Sequence, residues 1–135
     1  VRSRGLGDVY KRQVEDREPV WMHPDAAKKL GLKSGDIAKV TSRRGSVLAG
    51  VIVTDRIRPD TVVIHHGGWY SPEEPGEEGT LDVHGCDNVL TIDIPSSKLS
   101  CGNVANSTQV KIERWDDELD PIMAHVQPKT VRADD

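Results

Sequence analysis

Residues 47–54, Val-Leu-Ala-Gly-Val-Ile-Val-Thr, are apolar on both alternating faces. Short and rich in β-branched side chains, this run suits a strand better than a helix. A strand that is apolar on both faces has to be covered on both. It therefore sits centrally in a barrel or a sandwich. The rest of the chain must supply that cover, and its short apolar blocks separated by Gly, Pro, Asn and Asp read as further strands and turns.

Val20-Trp21-Met22 reads as a strand. His23-Pro24-Asp25 then starts a helix, with Pro24 at the first helical position and Asp25 favourable in the first turn. Ala26, Ala27 and Leu30 give it an apolar stripe, and Gly31 fits a left-handed cap. Ile37 to Ser42 is the next strand, and Arg43-Arg44-Gly45-Ser46 is a hairpin connection to the 47–54 run. Thr61 to His65 is another strand, and Val89 to Ile94 a further apolar block with Asn88 at its entrance. Thr108 to Glu113 alternates, with Val110 and Ile112 inward and Gln109, Lys111 and Glu113 outward. The span from His66 to Cys86 is a long glycine-bearing loop of the length usually kept for function or motion. The reading is mainly β with one short helix near residues 24–30.

With 135 residues the chain has material for one domain. Residues 1–13 show no periodicity and read as a non-native tail of the kind left by sequencing-adapter read-through or cloning. Residues 14–115 form the domain, and 116–135 an acidic C-terminal extension of it that packs on a partner surface. No run approaches the roughly 18 apolar residues of a membrane-spanning helix. Formal net charge is −4 for the whole chain and +3 for residues 1–13, hence −7 for the remainder. An acidic body speaks against nucleic acid as a ligand. Two cysteines, Cys86 and Cys101, do not make a disulfide scaffold.

Three clusters could carry chemistry. Lys33-Ser34-Gly35-Asp36 is a turn between helix and strand. In Ile64-His65-His66-Gly67-Gly68-Trp69-Tyr70-Ser71-Pro72, two glycines let backbone approach a ligand, and Trp69 and Tyr70 offer faces to a planar heterocycle. Asn88, in His84-Gly85-Cys86-Asp87-Asn88-Val89-Leu90-Thr91, carries an acceptor and two donors suited to the edge of an amide-bearing ring. Residue chemistry alone leaves a turn asparagine and packing aromatics open. It also leaves open a zinc hydrolase on His65, Asp82 and His84, although the spacing matches no recognised ligand pattern.

Taken in order, several segments resemble one family. They are Glu18-Pro19-Val20-Trp21-Met22-His23-Pro24-Asp25-Ala26-Ala27, Gly31-Leu32-Lys33-Ser34-Gly35-Asp36-Ile37, Arg44-Gly45, the His65–Tyr70 element, Asn88-Val89-Leu90-Thr91-Ile92-Asp93 and Ser97-Lys98-Leu99. The family is the C-terminal molybdopterin-dinucleotide-binding domain of dimethyl sulfoxide reductases, in the branch of trimethylamine N-oxide, dimethyl sulfoxide and biotin sulfoxide reductases. The resemblance implies a double-psi β-barrel, incomplete at its N-terminal side. It implies a bis(molybdopterin guanine dinucleotide) cofactor bearing molybdenum, and oxygen-atom transfer from an N-oxide or S-oxide. It makes the remaining domains of a larger enzyme the partners, one of them holding the metal-ligating serine, so the fragment alone would not turn over. By matched position Asn88 is a cofactor contact, His65, Trp69 and Tyr70 are wall groups, and Asn106 joins them from its place before the last strand. A periplasmic location follows for most of the branch, and a cytoplasmic one for a biotin sulfoxide reductase. His66 departs from the branch, which often has an acidic residue there. The alternative is a stand-alone double-psi barrel acting as a protein-binding adaptor.

Overall fold

The computed structural model describes residues 13–127, so the tail expected over residues 1–13 lies almost wholly outside the described residues. Five strands form one mixed sheet: β1 (Pro19–Met22), β2 (Ile37–Thr41), β3 (Ser46–Val53), β4 (Val62–Ile64) and β5 (Lys111–Arg114), in the order β4-β1-β3-β2-β5. Helix α1 (Pro24–Leu30) lies between β1 and β2. The β1–β3 pair is parallel and the other three are antiparallel. A parallel pair needs a crossover, and α1 with β2 supplies it.

The long apolar run is indeed central. Val47, Ala49 and Val51 of β3 join Val20, Met22, Ala38, Val40 and Leu90 in the main core. On the opposite face Leu48 packs with Ile37 and Val83. Each face of β3 thus has its own apolar cover, which is why both sets of alternate residues had to be hydrophobic. In α1, the His23 imidazole Nδ1 accepts from the Asp25 N–H at 3.2 Å, and Gly31 closes the helix at φ 67°.

Two expectations are corrected. Residues 89–94 do not form a strand. Asp87–Val89 is a turn of 3₁₀ helix, and Leu90 and Val89 turn into the main core while Ile94 stays exposed. Asn88 therefore rides on a helical turn and not at a strand entrance. The segment after Trp115 does not wait for a partner surface either, because Trp115, Leu119 and Ile122 pack on the Ile37–Leu48–Val83 face of their own domain. The last strand begins later than its alternation suggested, at Lys111, with Val110 and Ile112 still turned to the main core.

The sheet is mainly β architecture left open, with β4 and β5 as its edges. No helix among the described residues is long and apolar enough to cross a membrane.

Candidate functional site

The loop from His66 to Cys86 is ordered by a strand-like segment in its middle. Leu81-Asp82-Val83-His84 places Val83 in the second apolar face and buries Asp82 and His84 almost completely. One Asp82 carboxylate oxygen accepts from the Ser71 N–H at 2.7 Å. The other accepts from the Gly85 and Cys86 N–H groups at 2.8 and 2.7 Å. A buried carboxylate is tolerated only where such donors satisfy it. Asp82 thereby ties the aromatic turn to the Gly85–Cys86 corner.

His84 holds the same turn. Its Nδ1 lies 2.8 Å from the Trp69 carbonyl oxygen and 3.1 Å from the Trp69 N–H. With the proton on Nδ1 the ring donates to that carbonyl, and Nε2 accepts from the Gln13 side-chain amide at 3.2 Å. Burial lowers the imidazole pKa, the Trp69 carbonyl opposes that shift, and neighbouring His125 adds to it. Asp82 and His84 are thus engaged with backbone, and no group of three His, Cys, Asp or Glu side chains among the described residues is placed to hold a metal. The sequence reading passed over their anchoring role. The clue was a four-residue alternation of apolar and polar side chains inside a polar loop.

The His65–Tyr70 element and the segment that carries Asn88 touch at two points. His66 Nδ1 is 3.2 Å from both carboxylate oxygens of Asp87. A Cβ on Gly68 would sit 2.7 Å from the Gly85 carbonyl oxygen, so only glycine permits this approach.

The five singled-out residues are distributed unequally. Asn106, on the 3₁₀ turn Ala105–Ser107, lines a cleft of about 370 Å³ between β4 and the approach to β5. Val62, Ile64, Leu90 and Val110 make its walls apolar, and Thr61, Thr91 and Thr108 add hydroxyls. Asn88 itself does not line the cleft, although Asp87 before it and Leu90 two residues on do. Among the described residues, neither asparagine side-chain amide has a protein partner, and both side chains are exposed. His65 follows β4 and meets Trp21 edge to face at 4.8 Å. Trp69 and Tyr70, 57% and 52% exposed, do not line this cleft. Tyr70 instead borders a depression shared with Pro121 and Met123, and the Trp69 ring lies 5.6 Å from that of His125.

A second cleft of about 680 Å³ continues from the first through Thr108, which lines both. Its walls are the β2–β3 hairpin (Ser42, Arg43, Arg44), Ile92 to Ile94, and Ser107 to Gln109.

The molydopterin dinucleotide binding domain model matches residues 3–109. The chain belongs to that family. It is 46% identical over 122 residues to trimethylamine-N-oxide reductase of Haemophilus influenzae, covering 90% of this chain and 15% of that protein. Trimethylamine-N-oxide reductase 1 of Escherichia coli K12 is 41% identical over 81% of this chain and 13% of its own length. Dimethyl sulfoxide/trimethylamine N-oxide reductase of Rhodobacter capsulatus is 40% identical over 86% of this chain and 14% of its own. The chain thus spans about one seventh of the length of these curated relatives. Among solved structures, acetylene hydratase from Pelobacter acetylenicus superposes with a TM-score of 0.60 at 20% identity, over 85% of this chain and 16% of that one, and shows the shared fold.

The donor set fits the family's ligand. The unpartnered carboxamide of Asn106 and three threonine hydroxyls above an apolar bed suit a planar heterocycle rich in polar edges.

Proposed function

We propose that this domain binds a bis(molybdopterin guanine dinucleotide) cofactor within a larger molybdenum oxidoreductase that reduces an N-oxide or S-oxide by oxygen-atom transfer. The observation that carries the reading is the pairing of an amide-rimmed, apolar-walled cleft with 40–46% identity to reductases named for such substrates. Asn88 and Asn106 would hold the pterin edge through their amides. His65, Trp69 and Tyr70 are proposed as outer wall groups, reached only if the cofactor extends past the His66–Asp87 contact. When bound, the cofactor supplies two-electron oxygen-atom chemistry. The residues of this chain bind, orient and exclude water. The open edges β4 and β5 are proposed to be completed into a double-psi β-barrel by other parts of the parent enzyme. Residues 14–115 make up the domain proper and 116–135 its extension, and the enzyme works in the periplasm.

In the full-length enzyme, Asn88→Ala is expected to lower molybdenum and pterin content well before it lowers thermal stability. An Asn88→Ala enzyme carrying wild-type molybdenum would remove Asn88 from the cofactor contacts. A full-length product that never acquires molybdenum would overturn the reading altogether.

A further inference from the structure

The C-terminal segment that covers the second apolar face is fastened at three points around the Trp69–Ser71 turn. The Asp120 carbonyl accepts from Arg17 Nη2 at 2.8 Å, and the Ser71 hydroxyl oxygen accepts from the Met123 N–H at 3.0 Å. At the third point the His125 ring meets that of His84 edge to face, with centroids 5.1 Å apart and planes at 89°. His125 also leans on the Trp69 ring at 5.6 Å. Of the three, only the last joins two groups whose ordinary charge change falls near neutral pH. His84 is 1% exposed, whereas His125 lies at the surface. As a neutral ring, His84 donates from Nδ1 to the Trp69 carbonyl and accepts at Nε2 from the Gln13 amide. A second proton turns Nε2 into a donor facing that amide. It also puts a positive charge into a buried site that faces Arg17 and His125. Asp82 opposes this, but its carboxylate oxygens already accept from three backbone N–H groups. With His125 protonated as well, the two rings repel where they had stacked. Glu73 acts in the opposite sense. A hydrogen bond with Asp120 raises its pKa, so a proton taken up there ties the same segment down more firmly.

We propose that the His84–His125 pair is a pH-sensitive latch, which holds residues 119–126 on the domain near neutral pH and lets them go as the medium acidifies. The docked segment binds fewer protons than the free one, so docking weakens as the pH falls. Release uncovers the Ile37–Leu48–Val83 face and loosens the Trp69 turn, while the main core stays closed. The latch stands independently of the cofactor-binding reading.

The test is amide hydrogen exchange of the 135-residue chain, corrected for the intrinsic pH dependence of exchange. Between about pH 7.5 and 5.5 the opening constant of the Met123 N–H is expected to rise about tenfold or more. At every pH it is expected to exceed that of the β3 amides, because the segment opens without global unfolding. H125F keeps a ring on His84 but cannot take up charge, and its rise is expected to shrink to about threefold or less. H125K is charged throughout and is expected to open at about pH 7.5 roughly tenfold more than H125F. E73Q, which removes the opposing titration, keeps the full rise. A wild-type opening constant that does not respond to pH, or a full rise in H125F, overturns the latch. So does a Met123 N–H that opens no more readily than the β3 amides. Loss of the rise in E73Q would assign it to the Glu73–Asp120 pair and overturn the latch as well. Should H125K fail to fold, H125F and E73Q decide. The molybdenum content of the full-length Asn88→Ala enzyme tests the cofactor reading separately.

Discussion

At the scale of single residues, buried polar groups do more of the organising than the aromatic side chains that stand out in the sequence. Asp82 and His84 together hold the backbone of Trp69, Ser71, Gly85 and Cys86. His84 has a testable consequence. Burial holds its pKa below the ordinary imidazole value, so protons bind the unfolded chain in preference to the folded one. Its contribution to stability is therefore complete above about pH 6.5 and is lost as the pH falls through that value toward the lowered folded one. His84→Asn keeps a donor for the Trp69 carbonyl but cannot titrate. Between about pH 7.5 and 5.5 the urea midpoint of the wild type is expected to fall more steeply than that of this variant. Parallel slopes would show that His84 does not couple protonation to folding. The Leu81–His84 alternation marks the segment but not what its polar side chains bind, since a histidine or aspartate in a loop looks the same whether it binds a ligand or its own backbone. Only burial and partners separate the two.

Among the elements, strands with a two-sided or alternating pattern were readable and the turns between them were not. β3 was expected over residues 47–54 and runs over Ser46–Val53, and α1 was expected near 24–30 and runs over Pro24–Leu30. The apolar block at 89–94 misled because hydrophobicity without a period does not separate a strand from a turn whose side chains fall into a core. What holds that turn is contact with the β2–β3 hairpin. Gly45→Ala is expected to cost about 1–3 kcal/mol by forcing Val89 and the Asn88 turn outward. Gly102→Ala, whose nearest neighbours are side-chain hydroxyls at 3.4 Å, should stay within about 0.5 kcal/mol of wild type. Urea unfolding of the two variants checks this, and equal stabilities would remove the hairpin contact as a determinant of the turn.

For the whole molecule, the decisive feature is that both faces of one open sheet are covered by the same chain. The second face depends on the segment after Trp115. Leu119 and Ile122 pack there, the Asp120 carbonyl accepts from Arg17 Nη2 at 2.8 Å, and Met123 N–H donates to the Ser71 hydroxyl at 3.0 Å. Ending the chain after Trp115 is expected to remove about 2–3 kcal/mol of stability and to expose a dye-binding apolar face. An unchanged urea midpoint would return this segment to the status of an appendage. The sequence alone determined the central strand, the early helix and the family, because local periodicity and the order of short motifs survive without coordinates. Tertiary structure decided which candidate residues share a cleft. It set Asn106 in one cleft with Asp87 and Leu90, and put Trp69 and Tyr70 against the C-terminal segment. It also brought the hairpin arginines alongside the asparagine turn. Those are long-range contacts set by chain crossings and side-chain burial, and no spacing along the chain encodes them.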